Sequence, residues 1–483
     1  MSLEFDRYSD TSASPGEQES ESTDALGDGL QRAGSILDYS SSIASLSGFC
    51  KKAQAYLPKF ELFESKRTGV RREETQPLVE SANASVSRVP AVGKPVPPQS
   101  NATSDLSVKQ QLNKEQRGDE NLRSDSLKRL ADKNFARLDS DGDGFISKSE
   151  LDVAMVNPAF KGEDAQLIGA LKRHREALQQ LSDDEWGPEN DGITRKDIEE
   201  FSKLLSKSNK SDSETNLVGD IDRDLYRSGQ SLESANHELF ADKANPVASV
   251  SPEAVKQGRI GDCYLMAAMA AVASTREGKQ SIVNMIKKNA DGTYTVTFPG
   301  AADKPVTVAA PTDAELGLYA QGSPYGTWPA VLEKAYGKYC NENNVDPHDG
   351  IRRGAISAVG LTLLTGRDVD TDLLVLTSKE ETHRKLSEAM WHGRPVTAAT
   401  RAEIGKLFGL ADGLTDGAGI PAGHLYTIES YDPATKCVTI RNPWGFGEPM
   451  NADGTAKDGK DDGVFTMTLD EFYANFMRVS YVE

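Results

Sequence analysis

Cysteine is scarce in this sequence, and its four cysteines are widely separated: Cys50, Cys263, Cys340 and Cys437. They form no C-x-x-C pair, so neither a zinc site nor a disulfide framework is indicated, and we expect reduced thiols. Long apolar runs are also lacking, since the longest, Leu265–Ala273, is too short to span a bilayer. The acidic N-terminus MSLEFDRYSD has no apolar signal-peptide core. We therefore expect a soluble, cytoplasmic protein with no transmembrane segment, and secretion by a non-cleaved signal stays open.

Basic residues are outnumbered, with 55 Lys and Arg against 74 Asp and Glu, which gives a formal net charge of -19. Nucleic-acid binding requires basic surface that displaces counterions from phosphates, so nucleic acid is excluded as a partner. Acidity suits Ca²⁺, which prefers carboxylate oxygens, although solubility alone also accounts for the overall charge. Hydrophobic residues make up only 37% of the chain. We therefore predict a long solvated stretch beside a folded core.

The composition and the spacing of apolar residues change along the chain. Residues 1–118 are rich in Ser, Glu, Gln and Asn, with a Pro cluster at 90–98, and bury too little apolar surface to offset their ordering entropy. We predict that this tail is disordered. Apolar residues then recur with helical spacing, which predicts a helical domain at 119–206. A linker is predicted at 207–239 and a mixed α/β domain at 240–483.

The segment Asp139–Glu150 fits an EF-hand calcium loop at every constrained position. The predicted Ca²⁺ ligands are the carboxylates of Asp139, Asp141, Asp143 and Glu150 and the backbone carbonyl of Phe145. Gly144 stands where the chain must turn sharply, and Ser147 and Glu150 form an S-x-x-E capping box for the next helix. A plain Asp- and Gly-rich surface turn is the alternative interpretation, which the flanking helical patterns disfavour.

EF-hands work in pairs, and the segment Trp186–Asp197 stands where a partner loop is expected. Trp186 and Pro188 occupy two ligand positions and offer no carboxylate. Ile193 occupies the position that would pair with Ile146 of the first loop. The sequence therefore predicts an EF-hand pair with one strong Ca²⁺ site.

A separate motif, QGRIGDCYLMAA at 257–268, points to nucleophilic catalysis. Gly258 and Gly261 predict a turn that ends at Cys263, and a helix-forming apolar run follows. The Cys263 sulfur is then expected at a helix N-terminus, where the dipole and free amides favour a thiolate. Gln257 could form an oxyanion hole with the Cys263 backbone N–H. A lone Cys before a helix is more often a structural thiol, so this interpretation requires catalytic partners.

Two later fragments supply those partners. His424 follows a glycine, begins the strand-like run HLYTI, and is predicted to be the general base. Asn442 lies in RNPWG and would hydrogen-bond the far ring nitrogen of His424, while Trp444 would shield that bond from water. The other histidines, including His348, are scattered and are expected at the surface.

These fragments resemble the calpain family. QGRIGDCYLMAA is similar to its active-site block, GHLYTI to its histidine block and RNPWG to its asparagine block, over about residues 240–483. The resemblance implies an α+β, papain-like protease core with a Cys lobe at about 240–370 and a His/Asn lobe at about 371–483. Here the EF-hand pair and the disordered tail would precede that core. The resemblance also makes Gln257 the oxyanion-hole residue, whereas Tyr264 departs from the usual Trp.

Together the motifs predict a calcium-dependent cysteine endopeptidase that hydrolyses proteins or peptides through Cys263, His424 and Asn442, with Ca²⁺ as cofactor. Two alternatives stay open. A papain-fold acyltransferase uses the same Cys and His but usually has Asp as its third residue, which Asn442 disfavours. A non-catalytic calcium-dependent binding module would predict a damaged triad, and all three residues are present.

A further acidic group, Glu448 with the loop Asp458–Asp462, lies where the resemblance places a calcium site of the protease core. Its ligand spacing is loose. A solvated charged loop is at least as good an interpretation.

Overall fold

The computed structural model describes residues 126–182, 191–351, 355–401, 419–451 and 454–483. The predicted tail at 1–118 lies outside these ranges, as do residues 119–125 and the first part of the predicted second calcium loop. The described chain is a mixture of helices and sheets, consistent with an α+β protease core.

The N-terminal part of the described chain is helical. Its helices are α1 at 126–138, α2 at Lys148–Met155, α3 at Glu163–Leu178, α4 at Arg195–Ser206 and α5 at Asp212–Ser234. Their apolar faces form one cluster, in which Leu127, Leu167 and Phe201 are fully buried. Ala314 and Leu318 from further along the chain join the same cluster. The helical region and the following region therefore share an apolar core.

Two short strands connect the loops between these helices. Strand β1, Ile146–Ser147, pairs antiparallel with β2, Gly192–Ile193, and places Ile146 opposite Ile193. Both isoleucines are 0% exposed. Ser147 caps helix α2 through the capping box with Glu150 that the sequence predicts. The pairing holds the two loop segments side by side at the edge of the helical core.

Helix α5 lies within the predicted linker at 207–239. Ser211 and Glu214 cap its N-terminus, and Ile221 and Leu225 are buried in the helical cluster. Most of this segment is therefore a packed helix and not an extended connection. The polar run at 207–215 suggested a linker because it contains only the start of the helix, whereas the buried residues lie one to three turns later.

The region around Cys263 is built on a buried helix. The elements here are α6 at Cys263–Ala273, α7 at Arg276–Met285, α8 at Asp313–Leu318, α9 at Trp328–Cys340 and α10 at Ser357–Thr365, with the sheet β3 (Ile286–Lys288), β4 (Tyr294–Val296) and β5 (Val306–Val308). Every residue of α6 is buried. Trp328 at the start of α9 is also fully buried, and its indole N–H donates to the Ser249 carbonyl at 3.1 Å. Helix α9 therefore lies in the core.

A six-stranded antiparallel sheet dominates the C-terminal part. Its strands are β6 at Val369–Leu373, β7 at Val396–Thr400, β8 at Leu425–Asp432, β9 at Cys437–Arg441, β10 at Val464–Thr468 and β11 at Phe476–Val482, in the order β10-β9-β8-β7-β11-β6. Helices α11, Lys379–Trp391, and α12, Leu469–Asn475, flank it. Residues such as Tyr426, Phe472 and Val479 form its buried core. None of the described helices is both long and apolar enough to cross a bilayer.

Candidate active site

Cys263 is the first residue of helix α6 and is 8% exposed. The turn before it is held from two sides, because the Gln257 N–H donates to the Pro443 carbonyl at 2.7 Å and the Arg259 N–H to the Leu318 carbonyl at 2.8 Å. The first of these bonds ties the turn directly to the segment that contains Asn442. The thiol therefore lies at a fixed helix N-terminus, as the glycine-rich turn predicts.

The side chain of Gln257 lies along this turn and is almost fully buried. Its Nε2 donates to the Ile260 carbonyl at 2.7 Å, and this contact identifies the nitrogen end of the amide. A primary amide has two N–H donors, so one donor is used within the turn. The predicted role of the second donor, at an oxyanion beside Cys263, stays a prediction.

His424 lies immediately before strand β8 and is held by its backbone. Its N–H donates to Thr400 Oγ1 at 2.9 Å, and its carbonyl accepts from the Thr400 N–H at 2.9 Å. Thr400 Oγ1 in turn donates to the Pro421 carbonyl at 2.8 Å. Sequence reasoning missed Thr400, because nothing local in the sequence distinguishes it from any other strand threonine.

Asn442 is fully buried and is hydrogen-bonded to His424, with 2.9 Å between Asn442 Oδ1 and His424 Nε2. The amide orientation follows from its neighbours: Nδ2 donates to the Gly447 carbonyl at 2.9 Å, and Oδ1 also accepts from the Trp444 N–H at 3.1 Å. His424 Nε2 must therefore carry the hydrogen, which leaves Nδ1 as the basic nitrogen. The Trp444 ring lies against the imidazole, with 4.5 Å between centroids.

Helix α6 packs against strand β8, which His424 immediately precedes. The backbone amide of Leu425, the residue after His424, acts to lower the pKa of the Cys263 thiol. One turn further along α6, the Ala267 carbonyl accepts from Thr427 Oγ1 at 2.7 Å. Helix α6 and strand β8 thus run alongside each other, and three segments distant in sequence come together at one point.

Burial controls the protonation of the pair. It raises the pKa of the Cys263 thiol to about 11, although the Leu425 N–H and the helix amides act in the opposite direction. It lowers the pKa of His424 to about 4, against the hydrogen bond to Asn442. Desolvation therefore opposes the thiolate that the helix N-terminus favours. The neutral thiol and neutral imidazole are favoured.

Loop Asp139–Glu150 brings acidic side chains together. One carboxylate oxygen from each of Asp139, Asp141 and Asp143 lies within 4.8 Å of the others. Asp139 Oδ1 is buried and receives no hydrogen bond from any residue that the structure describes. Glu150 accepts from the Ser140 N–H at 2.6 Å, so its carboxylate reaches back over the loop. Gly144 has φ of 90°, a conformation that favours glycine.

A second acidic group lies beside the asparagine segment. Glu448, Asp458 and Asp462 place one oxygen each within 4.8 Å of one another, and Glu448 Oε2 is buried without a hydrogen-bond donor. Burial and then the charge of Asp458 raise the pKa of Glu448. The three carboxylates are loosely spaced in the sequence, but the fold brings them into a compact cluster.

His348 is buried, whereas the sequence analysis expects it at the surface. It is 3% exposed and lies between Asp346 and Glu333, with its ring stacked on Tyr319 at 3.8 Å between centroids. The surface expectation is wrong because its burial depends on carboxylates and a ring from separate segments. No local pattern encodes such a position.

Comparison with known proteins agrees with this architecture. The profile of the calpain family cysteine proteases matches residues 234–483, slightly more than half of the 483-residue chain. Calpain clp-4 of Caenorhabditis elegans is 27% identical over 252 residues, which are 47% of this chain and 34% of that protein. Calpain-type cysteine protease ADL1 of Oryza sativa subsp. japonica is 27% identical over 265 residues, 48% of this chain and 11% of the rice protein. Calpain-type cysteine protease DEK1 of Zea mays is 26% identical over 265 residues, again 48% of this chain and 11% of that protein. The matches thus span about a third or less of these relatives' own lengths, and the chain belongs to the calpain family of cysteine proteases.

Proposed function

We propose that the protein is a calcium-dependent cysteine endopeptidase with Cys263 as nucleophile, His424 as general acid and base, and Asn442 as the residue that orients the imidazole. The observation that carries this proposal is the 2.9 Å bond between His424 and a fully buried Asn442. It leaves Nδ1 as the basic nitrogen of a histidine that immediately precedes strand β8, and the helix that begins at Cys263 packs against this strand. In the proposed reaction this nitrogen takes the proton of the thiol.

Acylation begins with proton transfer from Cys263 Sγ to His424 Nδ1. The thiolate attacks the peptide carbonyl carbon, and the carbonyl oxygen becomes an oxyanion that accepts hydrogen bonds from the Cys263 N–H and the free Gln257 amide N–H. His424 then returns its proton to the peptide nitrogen. The C–N bond breaks, the amine product leaves, and a thioester with Cys263 remains.

Deacylation uses the same groups in reverse. A water molecule gives a proton to His424 Nδ1 and attacks the thioester carbonyl, and the same two N–H groups stabilise the second oxyanion. The C–S bond then breaks, the sulfur recovers the proton from His424, and the carboxylic acid product leaves. Asn442 holds the imidazole in one tautomer throughout, because its Oδ1 accepts from Nε2–H in both the neutral and the charged form.

Ca²⁺ is proposed to bind the loop Asp139–Glu150. The donor set fits a hard cation: three carboxylates converge, and Asp139 Oδ1 is buried with no donor of its own. Asp139, Asp141, Asp143 and Glu150 would hold the ion together with the Phe145 carbonyl. When bound, the ion would neutralise this concentration of negative charge. The pairing of Ile146 with Ile193 supports an EF-hand pair.

Casein hydrolysis by the full-length protein, with Ca²⁺ and with chelator, tests the proposal. Wild type should release peptides with Ca²⁺, and Cys263→Ala should not. Asp139→Asn should retain less calcium stimulation than the matched surface variant Asp303→Asn, since Asp303 is exposed. Equal activity in chelator and in calcium would remove the calcium requirement, and equal activity of wild type and Cys263→Ala would remove the nucleophile.

Hydrolysis is favoured over acyl transfer by the surroundings of Asn442. Its Nδ2 donates to the Gly447 carbonyl, and a carboxylate at this position would set an acceptor against an acceptor. The same samples should therefore cleave casein without incorporating a primary amine into it. Calcium- and Cys263-dependent amine incorporation that exceeds cleavage would instead identify an acyltransferase.

A further inference from the structure

A chain of buried polar groups begins at the turn before the nucleophile. The Leu318 carbonyl accepts from the Arg259 N–H of this turn at 2.8 Å. Two residues later, the Ala320 N–H donates to Glu333 Oε2 at 2.8 Å. Glu333 is 0% exposed and His348 is 3% exposed, with 3.3 Å between Glu333 Oε2 and His348 Nε2. The turn before helix α6 is therefore connected to His348 through Ala320 and Glu333.

The chain continues from His348 to the helical region. His348 Nδ1 lies 3.1 Å from Asp346 Oδ1. Asp346 Oδ2 in turn accepts from Lys172 Nζ at 2.6 Å, and Lys172 lies on helix α3. The same ammonium donates to Asp152 Oδ1 at 2.7 Å. Asp152 lies on helix α2, which begins at Lys148, within the proposed calcium loop, and contains Glu150.

Opposite charges face each other along the buried part of this chain. Glu315 pairs with Lys334, Asp346 with Lys172, and Glu333 with His348. Burial alone would lower the pKa of His348, but its bonds to Asp346 and Glu333 raise it to about 10, so the ring is charged. Removing one charge would therefore leave a buried partner uncompensated, which is strongly unfavourable.

Lys172 is one of the residues that join the helical region to the region around Cys263. Its three carboxylate partners come from different segments: Asp152 from helix α2, and Asp346 and Asp349 from the loop after helix α9. Lys172 Nζ lies 3.2 Å from Asp349. Because the Lys172 side chain is only 12% exposed, water compensates poorly for a lost partner. A displacement of helix α2 therefore breaks the bond between Asp152 and Lys172 unless Lys172 follows, and Asp152 then keeps only Lys148 of its own helix as a cation, at 2.6 Å.

We propose that Lys172 is a positioning residue for Cys263, and that through Asp152 on one side and Asp346 on the other it makes peptide hydrolysis depend on Ca²⁺ at the loop Asp139–Glu150. The inference rests on the proposed function. Ca²⁺ would fix Glu150 and with it the start of helix α2, and the ion-pair chain carries that constraint to the turn before the nucleophile.

The test uses full-length protein and measures kcat and KM for a fluorogenic peptide across a calcium titration. Lys172→Met removes the charge and keeps the length of the side chain, Lys172→Arg keeps the charge, and Lys203→Met changes an exposed lysine of helix α4 in the same way. The calcium stimulation of kcat should be at least about fivefold smaller in Lys172→Met than in wild type, and KM should be unchanged. Lys172→Arg should recover most of it, and Lys203→Met should behave as wild type.

Calcium affinity separates coupling from a damaged calcium site. Calorimetry should give Lys172→Met a calcium affinity within a few-fold of wild type. Asp152→Asn weakens the bond between Asp152 and Lys172 and leaves Lys172 paired with Asp346. This variant therefore tests the coupling even if Lys172→Met folds poorly. The double variant should be no worse than the more affected single variant, because both substitutions break one connection.

The outcomes distinguish this inference from the proposed function. A wild type without Cys263-dependent peptidase activity, or without calcium stimulation, overturns the proposed function and this inference together. A calcium-stimulated wild type with the same stimulation in Lys172→Met and Asp152→Asn overturns only the positioning role of Lys172. Loss of stimulation in both variants, with calcium affinity retained, supports it.

Discussion

At the scale of single residues, Asn442 uses every polar atom of its side chain. Oδ1 accepts from His424 and from the Trp444 N–H, while Nδ2 donates to the Gly447 carbonyl. A flipped amide would set Nδ2 against two donors, so the orientation is determined by the surroundings. The imidazole is consequently held in one tautomer with Nδ1 available for proton transfer.

The burial of Cys263 and His424 leads to a prediction about thiol reactivity. Because the pKa of Cys263 is raised to about 11, the thiolate fraction of the calcium-free protein should keep increasing with pH. The rate of Cys263 alkylation by iodoacetamide should therefore rise up to at least pH 10. Background labelling of the other cysteines is measured in Cys263→Ser and subtracted. A rate that is already level below pH 7 would show a resting thiolate–imidazolium pair and contradict the prediction.

Gly258 gives a second prediction at this scale. A Cβ atom at this position would lie 1.8 Å from the Tyr319 carbonyl oxygen, and backbone cannot yield as a flexible side chain can. Gly258→Ala should lower the free energy of unfolding by about 3 kcal/mol, measured by denaturant titration. Gly219→Ala is the matched control: no atom lies within 4 Å of its added Cβ, and on helix α5 it should stabilise by about 1 kcal/mol. Similar effects of both substitutions would refute the close-contact argument.

At the scale of elements, the stability of the short strand pair β1–β2 comes from buried side chains more than from the length of its strands. Ile193 is 0% exposed and lies opposite Ile146. Ile193→Ala should cost about 2–4 kcal/mol of unfolding free energy and weaken calcium binding, because the loop loses its packed neighbour. Val153 on helix α2 is 53% exposed, so Val153→Ala should cost less than about 0.5 kcal/mol. Denaturant titration and calorimetry of both variants check the prediction, which fails if the two substitutions have equal effects.

The elements that the sequence predicts well are those with a local pattern. Strand β8 begins one residue after His424, and helix α6 begins at Cys263, because a turn residue and an apolar run mark each start. The asparagine motif places Asn442 correctly because its partners, Trp444 and Gly447, are only a few residues away.

Other features have no local pattern. Helix α5 begins in a polar run, and the residues that bury it, Ile221 and Leu225, contact a cluster assembled from distant segments. The bond between Lys172 and Asp346 joins residues 174 positions apart. A single sequence shows that both are charged but not that they meet. The desolvation that opposes the predicted thiolate also has no local pattern, because it depends on the whole fold and not on the helix that begins at Cys263.

At the scale of the whole molecule, the net charge of -19 makes calcium effects ambiguous unless controlled. Any divalent cation reduces self-repulsion in so acidic a chain, and this general effect should stabilise every variant alike. Specific binding differs, since it stabilises only the folded state and grows with the logarithm of free calcium above the dissociation constant. Comparing variants of equal net charge therefore separates the stabilisation by specific calcium binding from this general charge effect.

Calcium should therefore raise the thermal unfolding midpoint of wild type by several degrees, because at a free concentration 100 times the dissociation constant binding adds about 2.7 kcal/mol. Asp139→Asn and Asp303→Asn remove one negative charge each, so they relieve self-repulsion to the same degree. Only the first touches the loop in which the carboxylates of Asp139, Asp141 and Asp143 converge. The midpoint should rise with calcium in Asp303→Asn and stay nearly constant in Asp139→Asn, measured by scanning calorimetry with magnesium at equal ionic strength as reference. If Asp139→Asn keeps the full rise and Asp458→Asn loses it, calcium acts through the group around Glu448 and the assignment of the strong site moves there.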